Sequence, residues 1–204
     1  MAYKDHSLDK PIIDAAFVEF MEKGYDKASM RTIAANAEVT IGAIYTRYPT
    51  KNELFYSLVE PLIDSIKLAF SSLKADYSSS SDINSDSFLM AMLHESDTIL
   101  HLLFDDYNRA KLLLCKAQGS KLENFFNEIV ELKINETITF FKLNQIKIDN
   151  DVLRLLIKTE FNIYHQIIEE GYKLDKAKNI MDNIMLYHIG GWQNLLNHLD
   201  NKGE

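Results

Sequence analysis

Glycine and proline are scarce along this chain, and this scarcity is the strongest single constraint on its fold. Seven glycines and three prolines occur in 204 residues. Sheet-rich folds need many tight turns, for which glycine and proline supply the backbone geometry. Apolar residues instead recur every three or four positions, as they do on one face of a helix. The sequence therefore predicts an all-α protein with about nine helices.

Three short helices are predicted within the first 50 residues. The first carries apolar residues from Ile12 to Met21 on one face and ends at Gly24. A second, from Ser29 to Ala37, precedes a third that opens at Thr40 and ends at Pro49. Three helices with a tight connection between the second and third are typical of a helix-turn-helix unit, whose later helix enters the major groove of DNA.

Longer helices are predicted over the rest of the chain. Capping boxes at Thr50–Glu53 and at Ser120–Glu123 indicate that one helix starts at each place. Two further helices follow, one capped by Asp149 or Asn150 and one beginning near Asp175. We therefore expect a large helical domain after the three short helices.

Residues 30–54 make the helix-turn-helix interpretation specific. The residues that carry it are Ile33, Ala34, Ala37, Val39, Thr40, Gly42, Ile44, Tyr45, Tyr48, Lys51, Glu53 and Leu54. The combination resembles the N-terminal signature of the TetR family of transcriptional regulators, over residues from about Ile12 to Leu54. Glu38 stands where the family usually has the glycine of the turn, and Tyr48 where it usually has phenylalanine. If the turn needs a positive φ, a residue other than glycine costs about 1 kcal/mol there.

This resemblance implies a fold and a function for the whole chain. Residues 1–50 would form a helix-turn-helix DNA-binding domain, and residues 51–204 a helical domain for ligand binding and dimerisation. The expected function is that of a transcriptional regulator, usually a repressor, which binds a palindromic operator as a homodimer and is released by a small-molecule ligand. An alternative is a helical ligand-binding protein whose DNA reading is weakened or lost, since Glu38 places a negative charge beside the recognition helix.

The DNA-contacting residues are predicted around the third helix. Gly42 and Ala43 have little or no side chain, so the backbone could approach the groove closely. Arg47 and Lys51 are expected to contact the phosphate backbone. For Ser29, capping of the second helix is an equally good interpretation. The full predicted set is Ser29, Arg31, Thr40, Ile41, Gly42, Ala43, Tyr45, Thr46, Arg47 and Lys51.

The formal net charge of −8 argues against a DNA partner until the charges are located. Residues 1–51 hold seven basic and seven acidic side chains, whereas the remainder holds 15 basic and 23 acidic ones. Between Lys27 and Lys51, four basic residues oppose only Glu38. The expected DNA-facing edge is therefore locally positive.

The last two predicted helices carry apolar residues on more than one face. Such helices must be buried, and pairing with the same helices of a second chain would bury them in a four-helix interface. Gly190 and Gly191 would allow close approach at this interface, with a local kink as the alternative. The predicted interface residues are Ile163, Ile167, Tyr187, Gly190, Gly191, Trp192 and Leu195.

Candidate ligand-binding residues are large apolar side chains in the middle of the chain, some with polar tips. For each of them, a position in the core is the simpler interpretation. Pairs such as His94 with Glu95 are typical of solvated helix faces, so no metal site is predicted, and no cofactor. The candidates are Phe88, Met92, Phe104, Tyr107, Phe125, Phe126 and His165.

Other classes of protein find little support in the sequence. No glycine-rich phosphate loop, nucleophile elbow or catalytic dyad occurs in a recognisable context, so an enzyme is not expected. Cys115 is the lone cysteine, which excludes an internal disulfide and fits a reducing compartment. With neither a signal peptide nor an apolar span evident, we expect a cytoplasmic protein whose partners are double-stranded DNA, an unknown small molecule and a second copy of itself, and not a membrane.

Overall fold

The computed structural model describes residues 9–78 and 86–200, apart from the side chains of residues 74–78, 86–88 and 200. All regular secondary structure in these ranges is helical, which confirms the predicted all-α fold. None of the helices in these ranges is both long and apolar enough to cross a membrane. The nine helices within them are α1 Asp9–Lys27, α2 Met30–Asn36, α3 Ile41–Arg47, α4 Lys51–Ser78, α5 Asp86–Asp105, α6 Tyr107–Cys115, α7 Phe125–Leu143, α8 Asn150–Glu170 and α9 Leu174–Asp200.

The chain divides into two compact units. The first unit consists of Met1–Asp64 and Asp106–Phe125, and the second of Ser65–Asp105 and Phe126–Glu204. The first unit thus contains α6 and the beginning of α4 besides the three short helices. This structural division differs from the boundary expected after residue 50, because the short helices alone offer little surface for a core. The assignment of DNA binding and ligand binding to separate domains stays a prediction.

Three aromatic rings form the centre of the first unit. Phe20 of α1 and Phe55 of α4 are fully buried, and their ring centroids lie 5.1 Å apart in edge-on geometry. Tyr25 packs against Phe55 in the same way at 5.2 Å. Such aromatic pairs stabilise the folded state by more than the apolar area that they bury would give. Gly24, with a φ of 72°, breaks the helical geometry just before Tyr25, so the predicted end of the first helix is a kink inside α1.

The cap expected from Thr50 is present at the start of α4. The Thr50 hydroxyl accepts a hydrogen bond from the Glu53 N–H at 3.1 Å and starts α4. Asp149 caps α8 in a similar way, through the N–H of Asp151 at 2.7 Å. At its other end α8 stops at Gly171, which has the left-handed conformation typical of helix ends.

The helix start predicted at Ser120 was wrong, because α7 begins at Phe125. The Ser120 hydroxyl accepts the N–H of Leu122 at 3.0 Å, and the Glu123 carboxylate accepts the N–H of Gly119 at 2.9 Å. Gly119 has a φ of 84°. The same polar groups that would cap a helix therefore close a turn, since the glycine directs the backbone away from helical geometry.

The core of the second unit includes one face of α8 and the packing of α5 against α9. Buried side chains of α8 recur every three or four residues, at Ile157, Phe161, Tyr164 and Ile168. The spacing places them on one side of the helix. This face of α8 and its neighbours form the wall of the cavity described below.

Candidate nucleic-acid interface and ligand cavity

A connection of four residues joins α2 to α3 in the first unit. The N–H of Val39 donates to the carbonyl of Ala34 at 3.0 Å, and that of Ala37 to the carbonyl of Ile33 at 2.9 Å. Glu38, between them, has a φ of 55°. The turn does need a positive φ, and a residue with a Cβ adopts it at a cost in free energy.

One face of α3 and its capping residue lie open to solvent. Ile41 and Tyr45 are 39% and 43% exposed, although both side chains are large and apolar. Thr40, Gly42 and Thr46 are exposed beside them. Apolar groups next to hydroxyls can contact thymine methyls and the polar edges of bases. The predicted base-reading residues of α3 therefore share an accessible surface.

The packing of the chain does not require glycine at position 42. A Cβ there would find the Thr40 hydroxyl oxygen at 3.9 Å, an ordinary van der Waals distance. That hydroxyl accepts the N–H of Ala43, a half-buried residue, at 3.1 Å and so caps α3. The Thr46 hydroxyl donates to the carbonyl of Gly42 at 2.9 Å. Both threonines thus have structural roles besides their predicted contacts with DNA, whereas Gly42 leaves open space outside the helix.

Arg47, a predicted phosphate contact, is held within the chain by an ion pair. Its Nε donates to the Asp9 carboxylate at 2.8 Å, and its side chain is only 9% exposed. A second nitrogen, Nη1, donates to the carbonyl of Ala43 at 3.3 Å. Contact with a phosphate would require the guanidinium to leave this pair. The structural role of Arg47 is to join α3 to the beginning of α1, and its contact with DNA stays a prediction.

Lys51 lies at the first residue of α4 and is also positioned by the chain. Its Nζ donates to the carbonyl of Asp26 at 3.2 Å and lies 4.6 Å from the centre of the Tyr25 ring. Burial lowers the pKa of Lys51, and the carboxylates of Asp26 and Glu19 oppose this shift. Its ammonium is fixed beside the N-terminus of a helix, where anions are favoured.

The capping interpretation of Ser29 is confirmed. The Ser29 hydroxyl accepts the N–H of Thr32 at 3.3 Å at the start of α2. Its own N–H donates to the buried carboxylate of Glu19 at 2.9 Å. Arg31, in the first turn of α2, is exposed. Of the predicted contacts on α2, Arg31 is therefore the one whose side chain points to solvent.

The second unit contains an apolar cavity with a volume of about 380 Å³. Its walls come from five helices: Phe70 of α4, Met92 of α5, Phe140 of α7, Phe161 of α8 and Trp192 of α9 are examples. The volume lies in the lower part of the range of small-molecule sites. Aromatic rings thus contribute to the wall from most sides.

Charged side chains interrupt the apolar wall of this cavity. Lys133 of α7 donates from its Nζ to the Glu95 carboxylate of α5 at 2.6 Å, and both side chains are largely buried. Glu160 of α8 lies nearby, and burial together with repulsion from Glu95 raises its pKa to about 7, although Lys133 opposes the shift. Glu160 is half-buried, and a carboxylate in a cavity wall with a pKa near neutrality marks a candidate site.

Sequence reasoning located little of this cavity. Met92 lines it, but the other described candidates do not. Phe88 lies in α5, and its side chain falls outside the described residues. The remaining candidates are Phe104, Phe126 and His165 in the second unit, and Tyr107 and Phe125 in the first.

The charged residues of the cavity were missed, although the sequence carries a signal for them. Glu95 follows the buried Met92 by three positions, and Glu160 lies three after Ile157 and four before Tyr164. Each carboxylate therefore interrupts an apolar helical face, whereas Glu95 had been interpreted as part of a solvated face. A charge on a buried face needs a partner or a function.

The predicted dimer residues fall into two groups. Ile167 is buried within the single chain and Trp192 lines the cavity, so neither offers much surface to a partner. Tyr187, in contrast, is 78% exposed. At Gly190 and Gly191, an added Cβ would meet no atom within 4 Å. Ile163 and Leu195 are intermediate in exposure.

Comparison with known proteins gives a consistent class. Residues 12–58 match the family model described as bacterial regulatory proteins, tetR family. An HTH-type transcriptional regulator of Staphylococcus aureus strain USA300 is 24% identical over 174 residues, which cover 84% of this chain and 88% of that protein. Residues 12–58, which match the family model, contain the whole of α2 and α3.

Solved structures share the fold. FadR of Bacillus subtilis, in complex with stearoyl-CoA, has a TM-score of 0.55 at 20% identity and covers 87% of this chain and 97% of its own. NalD of Pseudomonas aeruginosa, the secondary repressor of the MexAB-OprM multidrug efflux pump, has a TM-score of 0.60 at 16% identity, with coverages of 90% and 96%.

The α2–turn–α3 geometry, the accessible face of α3 and these matches define a helix-turn-helix DNA-binding regulator. Residues 12–58 are similar to the tetR family of bacterial regulatory proteins, and the function of the chain is transcriptional regulation. The resemblance seen in the sequence is thereby confirmed, and the alternative of a ligand-binding protein without DNA reading is not favoured.

Proposed function

We propose that this regulator is a homodimeric repressor that binds a palindromic operator through α3 and is released when a small molecule enters the cavity of the second unit. The observation that carries the DNA-binding part is the open face of α3, where Ile41, Gly42 and Tyr45 are exposed together. Apolar side chains that are exposed side by side can mark a contact surface, and the base edges of a major groove are a suitable partner for it.

Binding to DNA from the promoter of the protein's own gene tests this part. A mobility-shift experiment is expected to give a complex that weakens steeply as salt increases, because bound phosphates release counterions. Arg31→Ala should weaken binding to all sequences and reduce the salt slope by about one unit. Lys23→Ala, an equally exposed cation of the first unit outside the predicted contacts, is the matched control. Absence of any complex at low salt would contradict the proposal.

The homodimer is proposed to form through one face of α9. Leu186 and Tyr187 are strongly exposed, and Gly190 and Gly191 follow each of them by four positions. Residues four apart lie on the same side of a helix, so large apolar groups and open backbone share one surface. A two-fold dimer would place two copies of α3 about 34 Å apart, one turn of DNA, which is why a palindromic operator is expected.

Analytical ultracentrifugation tests the dimer. Gly191→Leu should convert dimer to monomer if helices approach closely at this residue, since the added side chain meets no atom of its own chain within reach of its Cβ. Lys176→Leu, on an exposed position of the same helix outside the proposed face, is the control. If Gly191→Leu formed a dimer with unchanged affinity, this face of α9 would not be the dimer interface.

Helix α4 is the proposed link between the ligand and DNA binding. It contributes Phe55 to the core of the first unit and Phe70 and Leu73 to the wall of the cavity. A ligand that displaces the later part of α4 would change the separation of the two recognition helices, so that only one state matches both half-sites. Release of operator DNA by a cavity ligand, and its loss in Phe70→Trp, which fills the cavity, would support this link.

A further inference from the structure

The charge of the cavity wall suggests which ligands it can take, and this step rests on the proposed ligand-responsive function. Three carboxyl side chains and one ammonium occur among the described lining residues, namely Glu95, Glu136, Glu160 and Lys133. The ammonium is already paired with Glu95 at 2.6 Å. Negative charge therefore exceeds positive charge in a cavity whose remaining wall is largely apolar.

Glu160 is the group whose negative charge a ligand would have to compensate. The influences on it are burial, repulsion from Glu95 and attraction to Lys133, with no hydrogen bond from a described side chain among them. An ionised carboxylate in such surroundings is costly, and a proton or another cation relieves the cost. A ligand that brings a positive charge to Glu160 would replace the proton.

Aromatic rings in the cavity wall can also contact a cation. Phe70, Phe140, Phe161 and Trp192 line the same cavity as Glu160. The faces of aromatic rings attract ammonium groups, and the attraction is larger where water is excluded. The rings would also bury the apolar body of a ligand that carries such a group.

We propose that the cavity of the second unit binds lipophilic cations, small molecules with an apolar body and an ammonium group that lies against Glu160 and the aromatic wall. An anionic ligand would have to break the Glu95–Lys133 pair and still face Glu160. The structural neighbour FadR is in complex with stearoyl-CoA, an anion. The proposal therefore gives this chain a ligand of opposite charge.

The single tryptophan of the chain, Trp192, lies in the cavity wall and reports binding by its fluorescence. Three probes of equal chain length, decyltrimethylammonium, decanol and decanoate, are titrated below their micelle concentrations into the full-length protein without DNA. Decyltrimethylammonium is expected to bind about tenfold or more tightly than the other two. Equal or tighter binding of decanol or decanoate would overturn the proposal.

Glu160→Gln tests the assigned residue while keeping its size. It should weaken decyltrimethylammonium binding about tenfold and leave decanol binding unchanged or tighter, because only the charge is removed. Glu170→Gln, an exposed change on the same helix, should bind all three probes as the wild type does. Unchanged affinity for the cation in Glu160→Gln would refute the role of Glu160.

The wild type provides an independent measurement if the variant folds poorly. The titratable groups around Glu160 are Glu95 on α5, Lys133 and Glu136 on α7 and the neutral phenol of Tyr164 on its own helix. Helices α4 and α9 contribute apolar lining residues such as Phe70 and Trp192. Affinity for the cation should fall as pH decreases through about 7, since protonation of Glu160 competes with the ligand. If the affinity for the cation were the same well below and well above pH 7, the proposal would be contradicted.

Failure of this inference can be told apart from failure of the proposed function. Fluorescence titration needs no DNA, and the mobility shift needs no ligand. A cation that binds without releasing the operator would refute the release mechanism alone. A protein that binds operator DNA but no cation would refute the ligand class alone.

Discussion

The open face of α3 and the cavity of the second unit represent opposite ways of building a site. The face of α3 is formed by residues within one short stretch, from Thr40 to Thr46, whose neighbours in sequence are also neighbours in space. The cavity brings together side chains from five helices, and its lining residues extend in sequence from Phe70 to Leu196. Changes on the open face should affect binding with little effect on stability, whereas changes in the cavity should affect both.

Glu160→Gln should give the largest change in the free energy of unfolding, and it should depend on pH. Burial raises the folded-state pKa of Glu160 to about 7, from an ordinary value of 4.5. The folded protein therefore holds a proton that the unfolded chain loses, so stability falls as pH rises between these values. Above about pH 8 the variant should be more stable by at most about 3 kcal/mol, less where water in the cavity solvates the carboxylate.

Denaturant unfolding at several pH values measures this effect. The difference between wild type and Glu160→Gln should shrink towards zero as pH approaches 4.5, where the carboxyl is protonated in much of the unfolded ensemble as well. Glu170→Gln serves as the exposed control on α8. A difference that stays constant over the whole pH range would show that Glu160 titrates normally, and the contrast between the two sites would lose its main electrostatic support.

This contrast also explains what could be predicted from the sequence. Gly42 and Tyr45 were predicted on the DNA-facing side of α3 and both are exposed, because a short helix with known ends fixes the direction of each side chain. Their contact with DNA stays a prediction. Glu95 was placed on a solvated face, although it is buried, because its surroundings depend on α7 and α8. A pattern within one helix does not specify which distant helix packs against it. Met92 shows the same limit, since it was named only as one large apolar residue among several.

Helix ends illustrate the limit at shorter range. Thr50 and Ser120 both begin a sequence typical of a capping box, yet only Thr50 starts a helix. The difference lies in Gly119, whose φ of 84° places the following residues in a turn. At Ser120 the polar side chains of the pattern still accept backbone N–H groups, but from Leu122 and Gly119, because the backbone follows a turn there.

Arg47→Ala should have the next largest effect on the free energy of unfolding. It also tests whether Arg47 is a structural residue or a DNA-binding one. Its guanidinium pairs with Asp9 at 2.8 Å and its side chain is largely buried. Removal should destabilise the protein by about 2 kcal/mol, less than for a fully buried pair because Asp9 is partly exposed. A double-mutant cycle with Asp9→Asn in thermal unfolding measures the coupling. Loss of DNA affinity without loss of stability would instead favour the predicted phosphate contact.

Glu38→Gly should increase stability by about 1 kcal/mol or less. The residue has a φ of 55°, where a Cβ is unfavourable and glycine is not. The greater freedom of glycine in the unfolded chain offsets part of the gain. Thermal unfolding of the variant beside Glu38→Ala, which removes the charge but keeps the Cβ, separates backbone strain from electrostatics. If Glu38→Ala gained as much as Glu38→Gly, strain at this turn would not be the cause.

Gly42→Ala should change stability least of all, by about 0.5 kcal/mol in either direction, because helix propensity favours alanine only modestly in a first turn. The nearest atom to the new Cβ would be the Thr40 hydroxyl oxygen at 3.9 Å, so nothing within the chain has to move. Affinity for the operator should nevertheless fall by about tenfold if the backbone of α3 approaches the groove closely, since one added methyl then prevents the contact. Mobility shifts and thermal unfolding on the same preparation measure both quantities. Affinity that stays within about twofold of the wild type would mean that α3 contacts DNA through the side chains of Ile41 and Tyr45 rather than through its backbone, and would leave Gly42 with no role in either fold or binding.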